Sequence, residues 1–201
     1  FLSLSKLEVS RDQGISGAFS GNIDGQAVIA GGCNFPNTPA SNGGKKVFYN
    51  HIYSLLDNQW TRIGTLPTTL AYGVSITTQE GIVCIGGNDG KNSSDRVFLL
   101  KKKAKDKLSV TTTPLPSLPI PLDNFSGAAA PDGTIYVAGG QSNGVASQLA
   151  FSLKAGEKEW KELLKKNKGS YVDVTLSVWN KKHPDGATYK PFRINISPDE
   201  I

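Results

Sequence analysis

Short apolar runs separated by polar turns recur along the chain at intervals of just over fifty residues. Three of these runs end in a glycine pair, at residues 28–32, 83–87 and 136–140. The first glycines of successive pairs lie 55 and 53 residues apart. Repetition at this period is typical of an array of similar structural units. Because each run has the length of a strand and is rich in β-branched residues, the pattern predicts an all-β chain.

Each unit contains the signals for four antiparallel strands. A strand of small residues precedes each apolar run, and an Asp-Gly or Glu-Gly dipeptide between them predicts a tight turn, since glycine accepts positive φ. After each glycine pair comes an aromatic strand, and a tryptophan marks a fourth strand in the first and third units: Tyr53, Phe98 and Phe151, then Trp60 and Trp160. The first strands are predicted over residues 16–19, 72–75 and 126–129. Four-stranded units of this kind predict propeller blades.

The spacing of the double glycine, the aromatic residue and the tryptophan resembles the kelch family of β-propellers. The resemblance implies a kelch-type β-propeller with about three blades visible of a presumed six, and structural roles for the glycine pairs. We predict three segments: an N-terminal lead-in at residues 1–15, a partial propeller at 16–168 and an unrelated β-hairpin at 169–201. In that hairpin, residues 180–189 are predicted to connect the two strands.

Composition argues against several functional classes. The net charge of +5 comes largely from local lysine runs without interleaved aromatic residues, so we predict no nucleic-acid partner. Two cysteines and two histidines cannot supply a zinc site of the usual spacing, and we predict no metal or other cofactor. No apolar run is long enough to span a bilayer.

One loop differs from its counterparts in the other units. In an antiparallel four-stranded blade, the connection from the second to the third strand emerges on the same face as the connection between blades. From the second glycine to the blade aromatic, the separation is 21 residues in the first unit and 11 in each of the others. The extra residues include Phe35, Lys45 and Lys46. A stiff loop presenting a ligand site is one interpretation; a cap that shields the propeller mouth is the other.

The amino-acid sequence of this loop narrows the resemblance from the kelch family to one group within it. The string GGCNFP followed by GGKK, at residues 31–36 and 43–46, is similar to the bacterial N-acetylneuraminate epimerase (sialic acid mutarotase) group, particularly its cyclically permuted branch. Agreement extends over roughly residues 14–160, through the segments 14–16, 27–36, 43–49, 52–53, 70–73, 84–88, 115–119, 122–124 and 136–140. These strings are far more specific than a bare glycine pair.

The resemblance implies a protein that speeds the interconversion of sialic acid anomers by acid/base ring opening. The candidate substrate-binding residues carried over from it are Asn34, Phe35, Lys45, Lys46, Tyr72, Asn88 and Asn124. Asp123 is the candidate catalytic acid or base; alternatively it caps a turn. The resemblance also implies a glutamate and an arginine in catalysis, and neither aligns securely with a position of this chain.

Two alternatives remain open from the sequence. Three blades are half of the six that the resemblance implies, so the chain is either a fragment or one half of a homodimer that closes a single ring. The function is either anomer interconversion or non-catalytic binding of a carbohydrate or a protein by a kelch module. A periplasmic or exported setting is also implied by the resemblance.

Overall fold

The computed structural model describes residues 14–103, 106–163, 172–174, 177–180, 183–188 and 192–194, with side-chain burial for residues 14–103 and 109–163. The predicted lead-in, residues 1–15, falls almost entirely outside the described residues. The chain divides into two compact units, Phe1–Lys161 and Glu162–Ile201.

Three four-stranded sheets make up the first unit, and each is one propeller blade. Blade 1 contains β1 (Phe19–Ile23), β2 (Gln26–Ala30), β5 (His51–Leu56) and β6 (Gln59–Thr65), with a small hairpin of β3 (Cys33–Asn34) and β4 (Val47–Phe48) and a 3-10 turn at Ala40–Asn42 between β2 and β5. Blade 2 contains β7 (Val74–Thr78), β8 (Gly81–Ile85), β9 (Val97–Lys103) and β10 (Asp106–Leu115). Blade 3 contains β11 (Ser126–Ala129), β12 (Ile135–Ala138), β15 (Ala150–Leu153) and β16 (Lys161–Glu162), with a second small hairpin of β13 (Gln141–Ser142) and β14 (Val145–Ala146).

Strand order in every blade follows chain order, and the first three strands pair antiparallel. The prediction of three four-stranded kelch-type blades is confirmed. Closure into a ring is not seen among the described residues.

The first strands of blades 1 and 2 begin later than predicted. β1 starts at Phe19 rather than at residue 16, and β7 starts at Val74 rather than at residue 72. Gly17 and Tyr72 both adopt left-handed backbone conformations, with φ of 62° and 63°, which interrupt an extended strand. The chain therefore turns at these two residues before each strand begins.

Two apolar cores fill the spaces between consecutive blades. The core between blades 1 and 2 contains Phe19 and Phe98, whose rings meet edge to face at 6.1 Å, surrounded by Ile23, Val28, Ala30, Ile52, Ile63, Leu66, Leu70, Ile82, Cys84 and Leu100. The core between blades 2 and 3 is built from Val74, Ile76, Val83, Ile85, Val97, Leu99, Leu118, Leu122, Phe125, Ile135, Val137, Phe151, Leu153 and Trp160. Blade 2 thus buries one face against blade 1 and the other against blade 3.

The glycine pairs let consecutive blades approach closely. A Cβ atom on Gly31 would lie 2.3 Å from the Leu70 carbonyl oxygen, and one on Gly86 would lie 2.5 Å from that of Leu122. Both glycines also have positive φ. Neither position can hold a side chain without moving the next blade, so the predicted structural role is confirmed for the first two glycine pairs.

The second unit contains two strand pairs. β17 (Val172–Val174) pairs antiparallel with β20 (Phe192–Ile194), and β18 (Ser177–Asn180) pairs antiparallel with β19 (His183–Thr188). Residues 180–189, predicted as a plain connection, therefore include a strand. The strands form two nested hairpins rather than one.

Candidate functional site

Three loops that precede the first strand of each blade form a chain of backbone hydrogen bonds. We call these the axial loops; they comprise residues 14–18, 66–73 and 116–125. The Tyr72 N–H donates to the Gly17 carbonyl at 2.8 Å, and the Asn124 N–H donates to the Tyr72 carbonyl at 2.8 Å. This chain of bonds holds two predicted site residues, Tyr72 and Asn124, at equivalent positions of consecutive blades.

The residue after each glycine pair is bonded to the axial loop of its own blade. Cys33, Asn88 and Gln141 occupy this position. Their backbones pair with those of Ser16, Ala71 and Asp123 respectively, through two hydrogen bonds of 2.7–2.9 Å in each case. Side chains at these six positions are therefore brought to the same face of the propeller in each blade.

At the junction of blades 1 and 2, aromatic rings surround a lysine. We call Cys33, Phe35, Lys46, Phe48 and Tyr72 the mouth cluster. The Lys46 ammonium donates to the Tyr72 hydroxyl at 2.9 Å and lies 5.1 Å from the centroid of the same ring and 5.5 Å from that of Phe35. The Cys33 thiol, fully buried, donates to the Tyr72 hydroxyl at 3.0 Å. Cation–π contact and hydrogen bonding together fix the direction of an otherwise flexible, exposed side chain.

Interactions within the mouth cluster keep both Lys46 and Tyr72 protonated near neutral pH. The hydrogen bond to Tyr72 raises the pKa of Lys46, against a smaller opposing effect of desolvation. Burial, followed by the hydrogen bond with Cys33, raises the pKa of Tyr72, although the bond from Lys46 opposes this. The cluster thus presents a cation supported by a neutral phenol.

A cavity of about 540 Å³ opens beside this lysine, lined by Lys46, Phe48, Thr69, Asp89, Gly90 and Lys91. Its volume lies in the range of small-molecule sites. The Asp89 carboxylate accepts the backbone N–H groups of Lys91 and Asn92, each at 2.8 Å, which shapes the loop and lowers the pKa of Asp89. Two ammonium groups, a carboxylate, a hydroxyl and an aromatic ring therefore face one space.

At the junction of blades 2 and 3, the equivalent positions form a closed polar cluster. We call Asn88, Ser93, Asp123, Asn124 and Gln141 the carboxylate cluster. Asp123 is fully buried, and Ser93 Oγ and Asn88 Nδ2 donate to its Oδ2 at 2.6 and 3.1 Å. Asn124 Nδ2 and Gln141 Nε2 donate to its Oδ1 at 2.6 and 2.8 Å. Four donors from two blades therefore saturate one carboxylate.

These bonds determine the charge of Asp123. Burial alone would raise the pKa of Asp123, but the four hydrogen bonds, led by that from Ser93, more than offset it and leave the pKa below its ordinary value. The side chain is an ion with no exposed surface and does not line the cavity. Asp123 therefore has a structural role between two blades, since all four of these donors are side chains of blades 2 and 3. Turn capping and catalysis by Asp123 both stay predictions.

The other predicted site residues fall in three environments. Asn34 is buried, donating to the Gly14 carbonyl at 2.9 Å and accepting the Tyr49 hydroxyl at 2.8 Å, so its amide holds the long loop in place. Lys45 is exposed and forms no hydrogen bond or ion pair with the part of the chain that the structure describes. Phe35 and Lys46 lie together in the mouth cluster.

Several residues of both clusters were not predicted as site residues. Cys33 and Gln141 could have been found by aligning the repeats, because they occupy the same position after the glycine pair as Asn88 does. Ser93 and the cavity residues Thr69, Asp89 and Lys91 lie in connections between second and third strands or between blades, which were predicted to emerge on one face. These side chains come together because of turns within the individual loops, and the repeated sequence pattern does not predict those turns.

A second cavity, of about 870 Å³, lies on the opposite face, between blades 2 and 3. Its lining includes the turns at residues 77–80, 129–133 and 153–157 and contains none of the predicted site residues. Among residues 14–103 and 106–163, three or more His, Cys, Asp or Glu side chains nowhere gather to hold a metal ion. No helix in the described part of the chain is long and apolar enough to cross a membrane.

Comparison with known proteins finds similarity to N-acetylneuraminate epimerases. The sequence model of the family described as N-acetylneuraminate epimerase matches residues 2–110. N-acetylneuraminate epimerase 1 of Escherichia coli is 39% identical over 111 residues, which cover 50% of this chain and 30% of the relative. N-acetylneuraminate epimerase of Vibrio cholerae is 39% identical over 98 residues, covering 44% of this chain and 26% of the relative.

A solved structure supports the fold independently. The structure of YjhT superposes with a TM-score of 0.60 at 16% identity, covering 74% of this chain and 55% of that one. The present chain spans under a third of the length of the two epimerases that it matches. The family model, in contrast, matches more than half of this chain, and the resemblance carried by the long loop lies within the matched residues. The chain belongs to the N-acetylneuraminate epimerase family.

Proposed function

We propose that the protein interconverts the anomers of N-acetylneuraminate, and that Lys46 binds the substrate carboxylate in the cavity beside the mouth cluster. The names of the relatives support the substrate, and family membership supports the reaction type. A role in carbohydrate metabolism and a periplasmic or exported location stay predictions.

The position of Lys46 is the observation that carries the proposal. Its ammonium lines the cavity while Tyr72 and Phe35 restrict its direction. A carboxylate pairs with an ammonium through charge-assisted hydrogen bonds, which are stronger than bonds between neutral groups. Lys91 adds a second positive charge to the same cavity. Phe48 and Thr69 offer an apolar surface and a hydroxyl to the ring and its substituents.

Anomer exchange needs two proton transfers. A base takes the proton of the anomeric hydroxyl as the bond between the anomeric carbon and the ring oxygen breaks, and an acid protonates the released ring oxygen. Reclosure on the other face reverses both transfers. Asp89 lines the cavity and Asp123 does not, so Asp89 is the carboxylate placed to exchange a proton with a bound sugar.

Anomer exchange measured by NMR tests this proposal. The α-anomer of N-acetylneuraminate is dissolved, and its conversion to the β-anomer is followed with and without the protein. We expect acceleration by the wild type, a smaller acceleration by Lys46→Met and Asp89→Asn, and wild-type acceleration by Lys158→Met. Lys158 is an exposed lysine in the turn of blade 3 on the opposite face, so its substitution controls for charge loss. No acceleration by the folded wild type would contradict the proposal.

A binding function without turnover is favoured by one observation. The two carboxylates near the mouth both have lowered pKa values, because hydrogen bonds stabilise their ionised forms, and such groups are weak bases. A binding module would retain Lys46-dependent affinity for the sugar acid but leave the rate of anomer exchange unchanged. The same NMR samples distinguish the two functions.

A further inference from the structure

The ring of Phe48, in the long loop of blade 1, lies directly against two loops of blade 2. In the β3–β4 hairpin Phe48 pairs with Cys33, and its ring meets the Tyr72 ring edge to face, with centroids 6.3 Å apart. A Cβ atom on Gly90 would lie 2.9 Å from Phe48 Cδ2 and 3.0 Å from Cε2. The ring can therefore take this place only because residue 90 has no side chain.

The turn that carries Gly90 has a fixed shape of its own. Gly90 has a φ of 99°, and its N–H donates to Asn88 Oδ1 at 2.7 Å. The Asp89 N–H donates to the Asn92 carbonyl at 3.2 Å, and the Asp89 carboxylate accepts two N–H groups of the same turn. Hydrogen bonds at both ends of the turn hold the surface on which Phe48 rests.

Phe48 and Lys46 occupy neighbouring places on the wall of one cavity. Lys46 immediately precedes β4, and Phe48 is its second residue. Side chains two residues apart in extended backbone point to the same face and are spaced by about 6.6 Å. Among the described residues that line the cavity, Phe48 alone has a fully apolar side chain. The cavity thus offers a cation and, one such spacing away, an apolar ring.

N-acetylneuraminate carries its charge and its methyl group at opposite ends of the sugar ring. The carboxylate is bonded to the anomeric carbon, and the acetamido group is bonded to the ring carbon opposite. The ring and two exocyclic bonds of about 1.5 Å each separate the two groups, a span similar to the spacing of the two side chains. With the carboxylate on Lys46, the acetyl methyl can therefore contact Phe48.

We infer that Phe48 is a specificity-determining residue that selects sugar acids with an apolar acyl group on the amino nitrogen, and that Gly90 is the positioning residue for its ring. The inference rests on the proposed substrate and on the contact of Lys46 with its carboxylate. A methyl group against the ring removes apolar surface from water, which favours binding. A hydroxyl in the same place would lose hydrogen bonds to water without gaining a partner from the ring.

Affinities measured by calorimetry test the inference without requiring turnover. The two probes are N-acetylneuraminate and its analogue with a hydroxyl in place of the acetamido group. We expect the wild type to prefer the N-acetyl sugar by about three- to tenfold, the effect of burying one or two methyl-sized groups. Phe48→Ala should bind both sugars almost equally, whereas Phe48→Leu, which keeps an apolar side chain, should retain most of the preference.

Two glycine variants separate the position of the ring from backbone strain. Gly90→Ala places a methyl group where the Phe48 ring lies, so the preference for the N-acetyl sugar should fall. Gly25→Ala is the matched control, because Gly25 also has positive φ, 83°, but a Cβ atom there would have no neighbour within 4 Å. It should keep the wild-type preference. Circular dichroism and a cooperative melt establish that each variant is folded.

The preference of the same variants for the acid over its methyl ester shows whether the site is intact. Phe48→Ala should lose the preference for the acetyl group and keep the preference for the acid, which depends on Lys46. A wild type that binds both sugars equally overturns the inference, as does a Phe48→Ala variant that still prefers the N-acetyl sugar or that loses both preferences. A wild type that discriminates between the sugars without accelerating anomer exchange contradicts the proposed function alone.

Discussion

The mouth cluster and the carboxylate cluster occupy equivalent places in consecutive junctions but differ in access to solvent. Cys33 and Asn88 follow their glycine pairs, and Tyr72 and Asn124 are the left-handed residues of the axial loops of the next blades. The first junction holds an exposed ammonium beside a cavity, whereas the second holds a buried carboxylate surrounded by donors. The same backbone positions thus support a candidate ligand site at the first junction and a buried hydrogen-bond network that joins two blades at the second.

The length of one loop explains the difference. The ten extra residues between β2 and β5 let the β3–β4 hairpin place Lys46 and Phe48 next to Tyr72. The shorter loop of blade 2 instead turns back sharply, and its Ser93 reaches Asp123. Functional chemistry is therefore expected at the first junction and structural consequences at the second.

The largest effect is expected from Asp123→Asn. The amide keeps the size of the side chain but replaces one acceptor oxygen with a donor that faces two other donors. Leaving buried donors unpaired costs about 1–3 kcal/mol each, so we expect a loss of about 3 kcal/mol in the free energy of unfolding. Urea denaturation followed by fluorescence measures it.

Asp95→Asn is the control, since Asp95 is an exposed carboxylate on the same face. The acceleration of anomer exchange by folded Asp123→Asn should stay close to that of the wild type. A stable Asp123→Asn variant that had lost anomer exchange would instead support the catalytic role predicted for this residue.

A somewhat smaller effect is expected from Lys46→Met. Methionine keeps an unbranched apolar chain against Phe35 and Tyr72 but removes the charge. Hydrogen bonds to charged groups contribute about 1.5–3 kcal/mol, so kcat/KM for anomer exchange should fall by about 10- to 100-fold. Stability should be unchanged within about 0.5 kcal/mol, because the lysine is exposed. Equal losses in Lys46→Met and Lys158→Met would show that general charge, rather than this site, is responsible.

Tyr72→Phe should have a weaker effect on the same site. It removes the hydroxyl that accepts the Lys46 ammonium, while the ring stays in place beneath it. A typical hydrogen bond contributes about 1 kcal/mol, so we expect about a fivefold rise in KM with little change in kcat. A loss confined to kcat would show that Tyr72 takes part in proton transfer rather than in positioning Lys46.

The smallest expected effect is a difference in the pH dependence of stability between the wild type and Asp123→Asn. The folded-state pKa of Asp123 lies below its unfolded value, so its contribution to stability is present above the unfolded pKa and is lost as pH falls through the folded pKa. The wild type should therefore lose more stability than Asp123→Asn between about pH 5 and about pH 2. Asp89, Asp132 and Glu157 also have lowered pKa values, but both proteins share them. If the urea midpoints of the wild type and of Asp123→Asn fall in parallel as pH is lowered, the stabilising role assigned to ionised Asp123 is contradicted.

The blades could be predicted from sequence because their signals are local and repeated. Asp24 and Gly25 adopt positive φ at the predicted turn, as the Asp-Gly dipeptide requires. The glycine pairs fix where the second strand ends, and the strand after it follows in register. The start of β7 could not be predicted, because a left-handed Tyr72 has no signal in a sequence where tyrosine normally favours strands.

The site was only partly predictable because burial depends on contacts between blades. The long loop and Lys46 could be singled out by comparing repeats. The full burial of Asp123 could not be predicted, since a charged residue beside an asparagine normally indicates an exposed turn. Its burial requires donors from residues 30 and 35 positions upstream and 18 downstream, which no local pattern relates to it.

The most direct test measures affinity for N-acetylneuraminate and for its uncharged methyl ester by calorimetry, in the wild type, Lys46→Met and Asp123→Asn. If the mouth cluster binds the carboxylate, the wild type should prefer the acid by about tenfold or more. Lys46→Met should bind the acid and the ester almost equally, while folded Asp123→Asn should keep the wild-type preference. A preference for the acid that survives in Lys46→Met, or that disappears in Asp123→Asn, would contradict the division between the two clusters.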